Sequence, residues 1–195
     1  MKFDIIVAGV GGQGTLSVSS IIASAAMSEG LSVKQSEVHG MSQRGGGVVT
    51  NLRLSDKPIA SDLIARGSAS MILSIEPLEG LRYLPYLSPR GTLISSTNPV
   101  VNIPDYPELN ALLETIRALP HSVLVDGEEI ARRSGSIRAT NVVMVGAASR
   151  LLPIKPETIE HFIQKSFGGK GERVVEANIR AFRAGREAAE CRAGC

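Results

Sequence analysis

The chain has 195 residues, with 21 Lys and Arg against 19 Asp and Glu, 20 Gly, 10 Pro, two Cys and no Trp. At 43% apolar and 21% charged residues it can bury a real core, which excludes a disordered tail or a fibre. A net charge of +2 with no dense basic run excludes indiscriminate nucleic-acid binding, and Cys191 and Cys195 alone cannot supply four thiolates to an iron–sulfur cluster.

Ile5 to Ser28 carries no charge but holds four Gly, Gln13, Thr15 and five Ser, unlike a secretion signal or a membrane span. A cytoplasmic protein with no membrane attachment is expected. Phe3 to Ala8 reads as a strand broken only by Asp4, and it runs into Gly9-Val10-Gly11-Gly12-Gln13-Gly14. Val18, Ile21, Ile22, Ala25 and Ala26 then gather on one helix face and Gly30 ends that helix. Ser32 to Ser36 is predicted as a second parallel strand. Strand, glycine loop and helix in that order predict an open, mostly parallel, Rossmann-like α/β sheet flanked by helices.

Glu37 to Gly47 (EVHGMSQRGGG) has four glycines and no helical period, so it reads as a functional loop. Val48 to Leu54 is a strand, Ser55-Asp56-Lys57-Pro58 a turn, and Ile59-Ala60 the start of a return strand. Met71 to Ile75 is a third strand, followed by a helix from Glu76-Pro77 through Tyr83. Thr92 to Ser95 is a strand, the three prolines of Asn98 to Pro107 make a loop, Leu109 to Leu119 is helical, and Ser122 to Val125 is a short strand. Helices are predicted over Glu128 to Arg133, Asn141 to Leu152 and Glu157 to Phe167. A last helix has Val174, Val175, Ile179 and Phe182 as its apolar stripe, with Arg180, Arg183 and Arg186 facing outward towards a partner. Gly168 to Gly171 is the one linker-like stretch. One domain over 1–195 is expected, its C-terminal helices, about 139–190, packing on the sheet.

Two segments carry chemistry. Gly9, Gly11 and Gly14 match the dinucleotide fingerprint in its strand-to-helix setting, where backbone N–H groups and a helix dipole receive a phosphate or carboxylate. The second strand, however, ends Lys34-Gln35-Ser36 with Glu37 at or past its edge. A nicotinamide or flavin site, a purely structural turn, and an anion site or interface facing a partner's cofactor therefore all stay open. In the second segment Glu37 and His39 offer a base with its orienting partner or two metal ligands, although an extended segment is expected to turn them apart and no third ligand accompanies them. Arg44 beside Gly45 and Gly46 suits a planar carboxylate or a phosphate. The candidate substrate- or coenzyme-facing set is Gly11, Gly12, Gln13, Gly14, Glu37, His39, Gln43, Arg44, Gly45 and Gly46. His121 and His161 read as structural or solvated.

GVGGQGTLSVSSIIASAAMSEG and SEVHGMSQRGG together resemble the gamma-type domain of the 2-oxoacid:ferredoxin oxidoreductases. EPLE with RYLPYL, then NVV, and EAN with AFRAG extend the likeness over nearly the whole chain. Pyruvate and oxoglutarate members typically show Pro-Glu-x-Arg-Gly-Gly where this chain has His-Gly-Met-Ser-Gln-Arg-Gly-Gly, so the loop favours aryl pyruvates, indolepyruvate among them. Gly67-Ser68-Ala69-Ser70 departs from relatives that often carry an acidic residue there. The resemblance implies oxidative decarboxylation to an acyl-coenzyme A with reduction of ferredoxin. It also implies a larger alpha subunit holding thiamine diphosphate, magnesium and 4Fe-4S clusters, with coenzyme A as co-substrate and no cofactor on this chain alone. The alternatives are the gamma subunit of a pyruvate or other 2-oxoacid enzyme, a free-standing dinucleotide-binding protein, and a non-catalytic interface module.

Overall fold

The computed structural model describes residues 1–39 and 45–193, without the side chains of residues 39 and 190–193. Gly40 to Arg44, Gly194 and Cys195 lie outside the described residues. The elements run β1 (Lys2–Val10), α1 (Thr15–Ser28), β2 (Ser32–His39), β3 (Gly47–Ser55), β4 (Ala69–Ser74), α2 (Pro77–Arg82), β5 (Leu87–Ser96), α3 (Leu109–Arg117), β6 (Ser122–Val125), α4 (Gly127–Arg133), α5 (Thr140–Ala148), α6 (Pro156–Phe167) and α7 (Glu172–Ala193). The six strands form one sheet in the order β2-β3-β1-β4-β5-β6. All run the same way except β3, which pairs antiparallel with both β1 and β2. The mostly parallel α/β expectation therefore holds.

Three local expectations need correction. β2 shares the direction of β1 but does not touch it, because β3 folds back between them and leaves β2 at the sheet edge. Ile59-Ala60 starts no strand: both edges of β3 are already taken by β1 and β2, and Pro58 lacks a donor. Residues 61–63 are instead held over the sheet by Arg53, whose Nη1 donates to the Ser61 and Leu63 carbonyls at 2.9 Å each. The helix expected to reach Leu152 stops at Ala148, with Ser149 as its cap.

Alternation along the central strands builds two cores. One face buries Ile5, Val7, Leu52, Leu54, Met71 and Leu73 under α1 and the C-terminal helices. The other buries Ile6, Ile72, Leu93 and Leu124 under Leu113 and Ile116 of α3. At roughly 1.5–3 kcal/mol per large apolar side chain, this burial holds the sheet in the middle of the molecule.

The face of α7 that turns inward keeps Phe182 and Ile179 of the predicted stripe but is rotated away from its first residue. Val174 is exposed, while Ala177, Ala181, Phe182, Gly185 and Ala189 are buried. Small residues let α7 lie directly on α5: a Cβ on Gly146 would sit 2.0 Å from the Phe182 carbonyl oxygen, and one on Gly185 would sit 2.1 Å from that of Val143. The arginines do face outward at Arg180 and Arg183, but all three are tied to neighbouring elements. Arg183 forks onto Glu160 of α6 at 2.8 and 2.7 Å, Arg186 donates to Ser149 Oγ at 2.9 Å, and Arg180 donates to the Ser134 carbonyl at 3.1 Å. Arg180 and Arg183 remain exposed as expected, and their guanidinium groups also reach acceptors on the neighbouring elements.

Candidate functional site

In an open parallel sheet the ligand crevice lies beyond the carboxyl ends of the strands, where the chain leaves in opposite directions from neighbouring strands. Here that point falls between β1, which leads away to β2, and β4, which leads away to β5. Gly11 to Gly14 occupies it. Gly12 and Gly14 have φ of +105° and +84°, a left-handed region that a Cβ disfavours, and Gly14 caps α1 without a side-chain acceptor.

Gln13 bridges this crevice. Its Oε1 accepts the Val10 N–H at 2.8 Å and its Nε2 reaches the Ile75 carbonyl at 3.4 Å, so the amide spans from the end of β1 to the end of β4. A Cβ on Gly9 would meet Gln13 Oε1 at 3.0 Å, which explains the first glycine as room for this side chain. Asn141, on the first turn of α5, crowds Gly14 from the other side, its Nδ2 standing 2.5 Å from where a Cβ would be. Its Oδ1 is buried without a hydrogen-bond partner.

The second glycine segment joins the first by backbone bonds. Gly11 N–H donates to the Gly46 carbonyl at 2.8 Å, and Gly45 N–H donates to the Gly11 carbonyl at 3.3 Å. Residues 34 positions apart in sequence thus form one ledge. Beneath it Glu79 packs against Gly47, where a Cβ would lie 2.8 Å from Oε2. Burial raises the Glu79 carboxyl above the ordinary glutamate value; Arg82, paired at 3.2 Å, opposes that and Glu76 adds to it. Glu76 is itself buried. It caps α2 by accepting the Glu79 N–H at 2.8 Å, and it also accepts the Tyr106 hydroxyl and, at 3.4 Å, the Val100 N–H.

The structure brings together Gly11, Gly12, Gln13, Gly14, Gly45 and Gly46. Glu37 stands apart on the edge strand, where Thr50 Oγ1 donates to its Oε2 at 3.2 Å. Glu37 and His39 are two residues apart on one strand, opposite Thr50 and Val48. They therefore hold same-side positions of the pleat, which corrects the expectation that they turn apart. The side chain of His39, and Gln43 and Arg44 entirely, lie outside the described residues. Among the described residues no three His, Cys, Asp or Glu group as a metal site, and no helix is long and apolar enough to cross a membrane. His121 lines a separate cleft of about 280 Å³ with Arg150 and Thr92, and His161 meets Phe162 edge-on at 5.3 Å.

Sequence reasoning missed Glu76, Asn102, Tyr106 and Asn141 as parts of this edge. Only Glu76 left a local signal, an acceptor directly before Pro77 with Glu79 three residues on.

A profile of the pyruvate ferredoxin/flavodoxin oxidoreductase family matches residues 4–188. Indolepyruvate oxidoreductase subunit IorB of Archaeoglobus fulgidus is 37% identical over 95% of this chain and 94% of its own length. Its namesake in Methanothermobacter thermautotrophicus is 38% identical over 95% and 96%. The crystal structure of pyruvate oxidoreductase subunit PORC from Thermotoga maritima superposes with a TM-score of 0.75 at 25% identity, over 95% of this chain and 96% of that one.

Proposed function

Because the chain belongs to the pyruvate ferredoxin/flavodoxin oxidoreductase family, we propose that it is the small subunit of a complex that oxidises indolepyruvate and related aryl pyruvates to the acyl-coenzyme A while reducing ferredoxin. The observation that carries this reading is the bridged crevice. Gln13 ties the ends of β1 and β4 together through Val10 and Ile75, and the Gly11 N–H that a pyrophosphate would use in a free-standing dinucleotide protein is already spent on the Gly46 carbonyl. A filled, glycine-surfaced ledge suits close approach by another subunit or by a substrate that subunit holds, since glycine lets backbone come near.

On this reading the larger subunit would carry thiamine diphosphate with magnesium and the 4Fe-4S clusters, and the decarboxylation and single-electron transfers occur there. Two cysteines cannot ligate such a cluster. This chain supplies walls: Gly11 to Gly14 and Gly45 to Gly46 line the mouth of the active site or the coenzyme A path and keep water from the reacting carbon. Residues 1–195 act as one domain, in the cytoplasm.

The likeness to subunits named for indolepyruvate, and the His39 to Gly46 segment, favour an aryl substrate over pyruvate. In the assembled complex, kcat/KM for indolepyruvate is expected to exceed that for pyruvate by about 100-fold or more, as a pocket shaped for a large apolar group discriminates against a methyl group. Equal values, or a preference for pyruvate, would assign the chain to the pyruvate-type gamma subunits.

A further inference from the structure

The loop from Asn98 to Pro107 lies between β5 and α3 and contributes nothing to either hydrophobic core beyond its ends. Three of its polar contacts nevertheless reach the same edge of the sheet, the first being the Val100 N–H on the Glu76 carboxylate at 3.4 Å. Tyr106 donates its hydroxyl to the buried Glu76 carboxylate. Four residues earlier, Asn102 Nδ2 donates to the Gly45 carbonyl at 2.6 Å. Gly45 in turn holds Gly11 by its N–H. A line of hydrogen bonds therefore runs from the end of β4, through Glu76, Tyr106 and the loop, across Asn102, to the glycine ledge.

We propose that Tyr106 and Asn102 are positioning residues that latch the Gly45–Gly46 limb of the ledge in place, with Glu76 as the fixed anchor. This rests on the ledge facing the active site, as argued above.

The physical case has three parts. Glu76 is set by the chain on both sides: it caps α2 through the Glu79 N–H, and its own carbonyl accepts the Ser74 hydroxyl at 2.5 Å. It can therefore act as an immobile acceptor. Gly45 and Gly46 bring no side chain to pack, so their placement depends on backbone bonds and on whatever holds their carbonyls. Asn102 supplies that hold from outside the glycine segment, and Asn102 is fixed only if its loop is fixed. Burial beside two carboxylates also raises the Tyr106 phenol well above its ordinary value, which keeps it a donor at any working pH.

Amide hydrogen exchange on the full chain, followed by kinetics of the assembled complex, tests the latch. Tyr106→Phe removes one hydroxyl and no packing volume. It is expected to speed exchange at the Gly11 and Gly45 amides by about tenfold while leaving the α1 and β4 amides unchanged. Asn102→Ala, which spares the cap of α2, should do the same. If the contacts act in series, the double variant should be no faster than either single one. Glu76→Gln keeps one oxygen for Tyr106 but sets its NH2 against the Glu79 N–H, so it should speed exchange at the start of α2 as well, which the two loop variants should not if they act only on the latch. Unchanged exchange in Tyr106→Phe, or additive effects in the double variant, would overturn the latch.

In the complex, Tyr106→Phe should raise KM for coenzyme A or the 2-oxoacid by about threefold to tenfold with kcat held within about twofold, the signature of lost positioning. Faster exchange with both KM values unchanged would leave the latch as a mechanical fact and contradict the placement of the ledge at the active site.

Discussion

Gly146→Ala is expected to destabilise the chain by about 3 kcal/mol, because its new methyl group would stand 2.0 Å from the Phe182 carbonyl oxygen in an interface packed to crystal density. The neighbouring atom is backbone, so no side-chain rotation relieves the clash and α7 must move off α5. That displacement would also pull on Arg186, whose contact with Ser149 spans the same pair of helices. For a chain of this size the loss corresponds to a melting temperature lower by about 6–12 °C. Gly185→Ala, with its Cβ 2.1 Å from the Val143 carbonyl oxygen, should behave alike. Gly169→Ala meets nothing within 4 Å and should stay within about 0.5 kcal/mol of the native chain. Calorimetry on the three variants checks the set. A Gly146→Ala protein that melts with the native one would mean that α5 and α7 are not in contact.

Arg53→Ala is expected to cost about 2–3 kcal/mol, the loss of a charge-assisted fork on a buried carboxylate that keeps one other cation. Asp4 is 1% exposed and accepts Arg53 Nε at 2.9 Å and Nη2 at 3.1 Å; Lys2, at 3.0 Å, is its other cation. The same guanidinium holds the Ser61 and Leu63 carbonyls, so its loss frees residues 61–63 from the sheet as well. Asp4→Leu with Arg53→Met replaces the pair by apolar volume and should regain part of the loss but not all, since residues 61–63 lose their tether to β3. Denaturant unfolding of the single and double variants separates these contributions. Equal stability of Arg53→Ala and native chain would show that Lys2 alone satisfies Asp4.

The sequence made some of this architecture legible. β1, the glycine loop and α1 could be read because three independent signals coincide there: an apolar run broken only by Asp4, glycines where the backbone must turn, and a 3.6-residue period. The insertion of β3 between β1 and β2 could not be read, because alternation marks a strand but not its neighbours. The first turn of the α7 stripe was misjudged for a related reason, while Ile179 and Phe182 pack inward as expected. A search for apolar stripes weights Val174 and Val175, whereas close helix packing selects Ala177, Ala181 and Gly185 for their lack of bulk.

At the site, the glycines announced a close approach, yet nothing local told that Gln13 would fill the crevice they frame. Glu76 and Tyr106 are thirty residues apart and meet only because β4 and β5 are neighbours. Side chains that meet through the sheet in this way leave no periodic trace in the sequence.

If this chain is a wall of an active site that a larger subunit completes, turnover requires both subunits. The most direct measurement is indolepyruvate-dependent reduction of ferredoxin, or of a one-electron dye, in the presence of coenzyme A. It should be made on the purified chain, on the proposed larger subunit, and on the two combined. The account predicts no turnover from the chain alone and full turnover only from the combination. Substrate-dependent reduction by this chain free of any other protein would contradict it.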